Sequence, residues 1–134
     1  MLTDVDTLGS LMECKSSDPV ILDARSADAF VAGRIPGSRR VDVSSQRPRI
    51  RSEQDRAEFD SGLLALFRAA GVDEDSMVVL YDDISGTAAA RGVWMLNYLG
   101  HSDVSMLDGG FSEWQRCGKS TEYGPDSSLW TEGS

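Results

Sequence analysis

Two clusters contain charged side chains that could act in catalysis or bind a ligand, and each cluster directly follows a short apolar run. Asp23-Ala24-Arg25 follows Val20–Leu22, and the segment Asp82–Gly86 follows Met77–Tyr81. A carboxylate at the end of a strand can attack phosphorus beside Mg²⁺, and an arginine can bind an anion. The two clusters are therefore candidates for aspartyl-phosphate chemistry or for anion binding.

Buried strands are expected to position both clusters. The compact apolar runs are typical of strands covered on both faces, and helical periodicity separates them along the chain. Strands are predicted at Val20–Asp23, Arg40–Val43, Met77–Tyr81 and Val104–Leu107. This alternation indicates an α/β fold with a parallel sheet of about five strands, flanked by helices on both faces. Ligands bind beyond the carboxyl ends of such strands, which is where the two clusters lie.

The helices follow from apolar spacing and from capping residues. They are predicted at Thr3–Met12, Ala27–Val31, Glu53–Gly71, Ala89–Gly100 and Phe111–Cys117. Trp94 and Trp114 occupy helical positions and are expected in the core. Ser85 and Thr87 are interpreted as helix caps because no base is visible to activate either hydroxyl. His101, just past Gly100, is expected to stabilise a helix end.

Bulk properties limit the classes of function. At 134 residues, with 40% hydrophobic and 26% charged residues, the chain is typical of one soluble globular domain. The net charge of −9 argues against binding nucleic acid through phosphates. No apolar run approaches the ~18 residues that span a bilayer, and the N-terminus lacks a leader pattern. We therefore expect a cytoplasmic protein with no membrane or nucleic-acid partner.

The basic residues are unevenly distributed. Seven of the thirteen lie in one stretch, which predicts either a basic patch for an acidic partner or solvated loop arginines. They are Arg34, Arg39, Arg40, Arg47, Arg49, Arg51 and Arg56.

Cysteine and histidine are scarce. Cys14 and Cys117 are too few and too isolated for a disulfide framework, and His101 is the only histidine. No metal centre or cofactor is expected. Each cysteine is predicted near the C-terminus of a helix, where the dipole disfavours a thiolate, and both are interpreted as packing residues.

Five ordered motifs between Asp18 and Gly118 resemble the rhodanese (sulfurtransferase) family. They are Leu22–Arg25, Gly33–Ser38 (resembling Gly-His-Ile-Pro-Gly-Ala), Val78–Tyr81, Leu99–His101 and Leu107–Trp114. The resemblance implies a rhodanese-like fold, which we assign to residues 1–118, with 119–134 a polar tail or the start of an interdomain linker.

The departures from the family pattern bear directly on chemistry. In active members the residue after the strand's aromatic is the persulfide-carrying cysteine, and that place is Asp82 here; Arg34 replaces the usual histidine of the turn. The segments Tyr81–Gly86 and Ala89–Trp94 resemble the N-terminal, non-catalytic half of tandem sulfurtransferases that act on thiosulfate or 3-mercaptopyruvate. Gly86 also comes one residue later than in the usual catalytic loop.

The resemblance therefore implies a loop that looks like an active site without a catalytic residue. That loop comprises Asp82, Asp83, Ile84, Ser85, Gly86 and Thr87. The candidates for anion or interface contacts are Arg25, Asp23 and Arg34, with an Asp23–Arg25 salt bridge as the alternative role for Arg25.

Four functional hypotheses remain open. The first is a structural and interface module of a thiosulfate or 3-mercaptopyruvate sulfurtransferase, packed in cis or trans against a catalytic rhodanese domain, with a small sulfur-containing anion a further candidate partner at the interface. The second is a stand-alone binding or regulatory domain. The others are an active sulfurtransferase and an aspartyl-phosphate phosphatase; the latter has little support because Ile84 occupies the second acidic position of its Asp-x-Asp motif.

Overall fold

Strands and helices alternate along almost the whole described chain. The computed structural model describes residues 2–14, 18–43, 50–83 and 86–124. The strands are β1 (Leu2–Thr3), β2 (Val20–Asp23), β3 (Arg39–Arg40), β4 (Val78–Tyr81) and β5 (Val104–Leu107). The helices are α1 (Val5–Glu13), α2 (Ala27–Ala32), α3 (Glu53–Ala69), α4 (Thr87–Tyr98) and α5 (Gly110–Arg116). The predicted α/β alternation is confirmed.

The five strands form one parallel sheet in the order β1-β5-β4-β2-β3. β4 lies at its centre between β2 and β5, and all four of its residues are buried. Asp23 pairs with Tyr81 in the register of β2 against β4. The two strands therefore end side by side, and the residues that follow them meet at one edge of the sheet.

Helices cover the sheet on both faces because successive strand residues point to opposite sides. Leu22 and Leu80 pack with α3 and α4 in one buried cluster, which includes Phe67 and Leu96. Ile21, Val79 and Tyr81 pack in a second cluster with the buried residues of α1 and α5, which are Val5, Leu8, Phe111 and Trp114. The sequence prediction of a doubly covered sheet is therefore confirmed.

Two strands differ from the sequence prediction. The predicted strand Arg40–Val43 is the two-residue β3, Arg39–Arg40. Val41 and Val43 are buried, so their apolar character reflects their place in the core and not a longer strand. The pairing of β2 with β3 ends at Asp23 and Arg40. β1 was not predicted, because two residues carry no period and are ordered only by pairing with β5. Arg47 and Arg49 of the basic stretch lie outside the described residues.

The two helical tryptophans differ in burial. Trp114 is 3% exposed, as predicted, but Trp94 is 51% exposed, so its expected place in the core was wrong. Met95 and Leu96 are the residues of α4 that enter the core beside it. A helical period gives the spacing of a buried stripe but does not fix its edge, and Trp94 lies just outside that edge.

Candidate functional site

An open cleft of about 480 Å³ lies at the carboxyl ends of β2 and β4. Ala24, Arg25 and Ser26 line one side, and Asp82, Asp83 and the first turns of α4 line the other. The parallel register brings the two charged clusters of the sequence together here, as expected for the end of a parallel sheet.

The Asp82 carboxylate is the buried anion of this cleft, with the residue only 6% exposed. Its Oδ1 accepts a hydrogen bond from the backbone N–H of Gly86 at 2.9 Å. Its Oδ2 accepts from the N–H groups of Ala88 at 3.0 Å and Ala89 at 3.1 Å. These amides belong to the start of α4, where the helix dipole also favours negative charge. The chain's own carboxylate thus occupies an anion-binding helix terminus.

Asp82 also replaces the expected side-chain cap of α4. Gly86 is the N-cap residue, with a positive φ of 78°, and it offers no side-chain hydrogen bond. Thr87 is the first residue of the helix, so its interpretation as the cap was wrong. The amides of Ala88 and Ala89, which a serine or threonine cap would satisfy, instead donate to Asp82, which lies four residues before Gly86. Ile84 and Ser85 lie outside the described residues.

The start of α5 fixes the backbone of the acidic pair. The N–H of Phe111 donates to the carbonyl oxygen of Asp82 at 2.8 Å, and that of Ser112 donates to the carbonyl of Asp83 at 3.2 Å. Gly110 has a φ of +62°, and a Cβ there would overlap both carbonyl oxygens. The double-glycine motif therefore lets α5 approach the loop closely.

Arg25 is held mainly by Asp23 and by the backbone of Gly33. Its Nε donates to both carboxylate oxygens of Asp23 at 3.0 Å. Its Nη2 donates to Asp23 Oδ2 at 2.6 Å and to the carbonyl of Gly33 at 2.5 Å. Asp83 is a weaker partner at 3.4 Å. Burial opposes the charge, but the bonds and attraction of Asp23 raise the pKa of Arg25 above its ordinary value. The Asp23–Arg25 salt bridge considered from the sequence is present.

Tyr81 connects the central strand β4 to the turn formed by the Gly33–Ser38 motif. Its hydroxyl lies 2.9 Å from Ser38 Oγ and accepts from the N–H of Ile35 at 3.2 Å. Burial, reinforced by the negative charge of Asp23, raises the pKa of the Tyr81 phenol well above its usual range. The neutral phenol is therefore a structural hydrogen-bonding group.

Arg34 lies away from the cleft, unlike the other candidate contact residues. It is 2% exposed, its guanidinium stacks on Phe30, and its Nη1 donates to the carbonyls of Phe30 at 3.0 Å and Gly124 at 2.6 Å. Its backbone pairs with Glu122, whose carboxylate lies 3.5 Å from Nε. Arg34 therefore binds the segment after α5, so the expectation of an exposed anion or interface contact does not fit its position.

The two thiols lie outside the cleft. Cys14 and Cys117 are the C-cap residues of α1 and α5, as their predicted places near helix C-termini require. Both are exposed, so their interpretation as packing cysteines was wrong. The Sγ of Cys117 donates a hydrogen bond to the carboxylate of Glu113 at 3.6 Å.

Arg91 is a residue of the cleft to which sequence reasoning gave no role. It lies one helical turn after Thr87 and lines the cleft. No hydrogen bond or ion pair joins it to another described residue. Its spacing from Thr87 could have predicted this position, since residues four apart share a helix face.

Other features of the described residues are structural. The N–H of His101 donates to the carbonyl of Leu96 at 2.8 Å, and its ring lies 2.7 Å from the carbonyl of Ser76, consistent with the predicted stabilisation of a helix end. No group of His, Cys, Asp or Glu side chains in residues 2–14, 18–43, 50–83 and 86–124 is arranged to hold a metal ion. Within those same residues, no helix has the length and apolar character required to cross a bilayer.

Comparison with known proteins defines the class. Residues 4–117 of this chain match the family profile "Rhodanese-like domain". The chain therefore belongs to the rhodanese-like domain family. The crystal structure of SseA from Escherichia coli superposes with a TM-score of 0.74 at 26% identity, covering 93% of this chain and 52% of SseA.

Curated relatives narrow the likeness to sulfurtransferases. A "Probable 3-mercaptopyruvate sulfurtransferase" of Pseudomonas aeruginosa is 46% identical over 70 residues, which are 51% of this chain and 25% of that protein. A "Thiosulfate sulfurtransferase" of the same species is 32% identical over 95 residues, covering 71% of this chain and 35% of that protein. The chain thus spans well under half the length of either relative.

Proposed function

We propose that this chain is a non-catalytic rhodanese-like module of a thiosulfate or 3-mercaptopyruvate sulfurtransferase and that it packs against a catalytic rhodanese domain. The observation that carries the proposal is the carboxylate of Asp82, which fills the amide cradle at the start of α4. In an active member the resemblance places a cysteine thiolate at this position.

The chemistry of Asp82 supports this proposal in two ways. Sulfur transfer needs a persulfide, and a carboxylate oxygen cannot form one. Both oxygens of Asp82 already accept hydrogen bonds from the helix, so neither is directed at a substrate. The fixed charge also opposes an anionic donor such as thiosulfate, by about 4 kcal/mol for unit charges ~4 Å apart at an effective dielectric of ~20. Asp83, whose side chain is 69% exposed, adds to this repulsion.

The positions of the thiols support the same conclusion. Cys14 and Cys117 cap the C-termini of helices, and neither lines the cleft. A thiolate there lacks the converging amides that stabilise a nucleophilic sulfur. We therefore assign no sulfur-carrying role to either residue.

In this proposal, sulfur transfer is carried out by a catalytic domain elsewhere in a longer protein. The relatives named as thiosulfate or 3-mercaptopyruvate sulfurtransferases extend well beyond the matched region. We infer that residues 1–118 form the rhodanese-like module and that residues 119–134 lead towards the catalytic domain. The cleft would then contribute one wall of a site between domains.

The reading frame after Ser134 tests the proposal. We expect it to encode a second Asp-x-Arg and Gly-x-Ile-Pro-Gly set followed by a loop cysteine. The two-domain protein should transfer sulfur to cyanide with a higher kcat/KM than its second domain alone.

Serine variants provide the controls. Replacing the loop cysteine of the second domain by serine should abolish transfer, whereas Cys14→Ser and Cys117→Ser should leave it unchanged. A frame without a second rhodanese domain would instead favour the stand-alone binding domain, and loss of transfer in Cys14→Ser or Cys117→Ser would contradict the proposal.

A further inference from the structure

An aromatic side chain of α4 is left exposed about one helical turn beyond Arg91, the last residue of this helix that lines the cleft. Trp94 is 51% exposed, whereas Ala89, Met95 and Leu96 of the same helix are buried in the core. Tryptophan is enriched at the centres of protein interfaces, so its exposure here is of interest together with the neighbouring polar groups. Trp94 also lies three residues after Arg91, which lines the cleft, so the two share a helix face.

Neighbouring side chains hold the indole in place. The Trp94 ring stacks on Tyr98 with centroids 5.5 Å apart and an interplanar angle of 18°. The Tyr98 hydroxyl donates to Asp60 Oδ1 at 2.7 Å and accepts from Arg56 at 3.4 Å, both on α3. The Phe59 ring also packs against Tyr98, with 5.7 Å between centroids and an interplanar angle of 59°. A pre-ordered aromatic loses little conformational entropy when a partner covers it.

Arg91 supplies the polar part of the same surface. Its guanidinium makes no hydrogen bond or ion pair with the other described residues, so its donors face the cleft and solvent. Tryptophan, tyrosine and arginine are the residue types that dominate the energetic centres of protein interfaces. Asp83, exposed on the α4 side of the same cleft, adds a negative charge at its rim.

We propose that Arg91 and Trp94, with the cleft rim at Asp83, form the surface on which a catalytic rhodanese domain docks. The inference rests on the proposed function and names the contact face. Two observations favour this occupant over others. The surface is continuous with the cleft through Arg91, and SseA extends beyond the matched half by about the length of another such domain, since the match covers 52% of it.

Hydroxyl-radical footprinting tests the surface directly, because it reports side-chain exposure to solvent. The probe is the 134-residue chain alone compared with the polypeptide encoded by the complete reading frame. We expect Trp94 to be oxidised in the isolated chain and protected at least about fivefold in the two-domain protein. Leu64, 41% exposed on α3, should react equally in both, and buried Trp114 should react slowly in both.

Three outcomes would overturn the proposal. Equal oxidation of Trp94 in the two proteins would show that the second domain does not cover this surface, even if that domain still needs this module for activity. Protection that grows with the concentration of the isolated chain assigns the surface to a second copy instead. A reading frame without a second rhodanese domain removes the occupant.

Matched variants give an independent measurement. The two domains, produced as separate polypeptides, should bind with a Kd weakened roughly 10- to 100-fold by Trp94→Ser and more modestly by Arg91→Ala. Leu64→Ser, a similarly exposed apolar position, should leave the Kd unchanged. A Leu64→Ser effect as large as that of Trp94→Ser would contradict the inference, and Arg91→Ala keeps the test open if Trp94→Ser fails to fold.

Discussion

The carboxylate of Asp82 lies 2.9 Å from the backbone nitrogen of Gly86, so the turn after the central strand is closed by an anion of the chain itself. The two amides that follow, those of Ala88 and Ala89, bind the other carboxylate oxygen. The arrangement suits a structural anion, because each of these hydrogen bonds to the carboxylate stabilises the start of α4.

Removing this anion should destabilise the domain. We predict that Asp82→Ala lowers the free energy of unfolding by about 1–3 kcal/mol, because the amides of Gly86, Ala88 and Ala89 lose their acceptor. Asp82→Asn should cost less, since its amide oxygen still accepts. Urea denaturation of the three proteins measures the difference.

The neighbouring aspartate provides the control for that experiment. Asp83→Ala removes an exposed carboxylate whose partner is 3.4 Å away, and such pairs contribute about 0–1 kcal/mol. Equal losses of stability in Asp82→Ala and Asp83→Ala would contradict the capping role of Asp82.

Arg34 should fix the segment after α5 to the domain. Arg34→Gln removes charged hydrogen bonds to the carbonyls of Phe30 and Gly124, so the amides of Glu122 and Gly124 should exchange with deuterium roughly 10- to 100-fold faster. The amide of Val79 in the central strand should be unaffected. Exchange at Glu122 that is unchanged, or that rises equally in exposed Arg39→Gln, would show that Arg34 does not hold this segment.

Tyr81 should give the domain a dependence on alkaline pH. Its folded pKa is raised above the ordinary value of 10.0, so the folded state keeps its proton where the unfolded state loses it. The contribution is complete below pH 10 and falls as the pH rises above that value, by up to about 1.4 kcal/mol per pH unit.

Tyr81→Phe isolates that contribution. At neutral pH the variant should be less stable by about 1–3 kcal/mol, because Ser38 and the N–H of Ile35 lose their partner. Above pH 10 the wild-type stability, measured by urea denaturation, should approach that of the variant. Parallel curves for the two proteins up to pH 11 would contradict a buried neutral phenol.

The sequence was sufficient to predict the sheet and the place of the cleft. Compact runs such as Val78–Tyr81 carry their own burial signal, and parallel pairing then forces Asp23 and Asp82 to the same edge. The two-residue β1 carries no such signal, because its order depends on a partner about a hundred residues away.

The finer roles in the site depended on contacts that spacing does not encode. The cap of α4 comes from Asp82, before the turn, and the guanidinium of Arg34 turns inward because the segment at Glu122 returns to cover it. The exposure of Trp94 and of the two cysteines likewise depends on where each packed stripe ends. Local sequence rules do not reach these long-range contacts.

A thiol placed at Asp82 should regain part of the family chemistry. In Asp82→Cys the converging amides should lower the pKa of the new thiol, so thiosulfate treatment should leave a persulfide on it. Turnover with cyanide should remain weak, because Asp83 repels the donor and Gly86 comes late in the loop. Asp82→Ser is the control and should bind no sulfur; an Asp82→Cys protein that is equally unreactive would show that the cradle does not activate sulfur.

Intact mass spectrometry of the unaltered 134-residue chain, after treatment with thiosulfate or 3-mercaptopyruvate, tests the absence of catalysis most directly. We predict that the mass does not change, because the only carboxylate in the amide cradle cannot accept sulfur and both thiols lie elsewhere. One sulfur atom bound per chain at Cys14 or Cys117, and released by cyanide, would contradict the account.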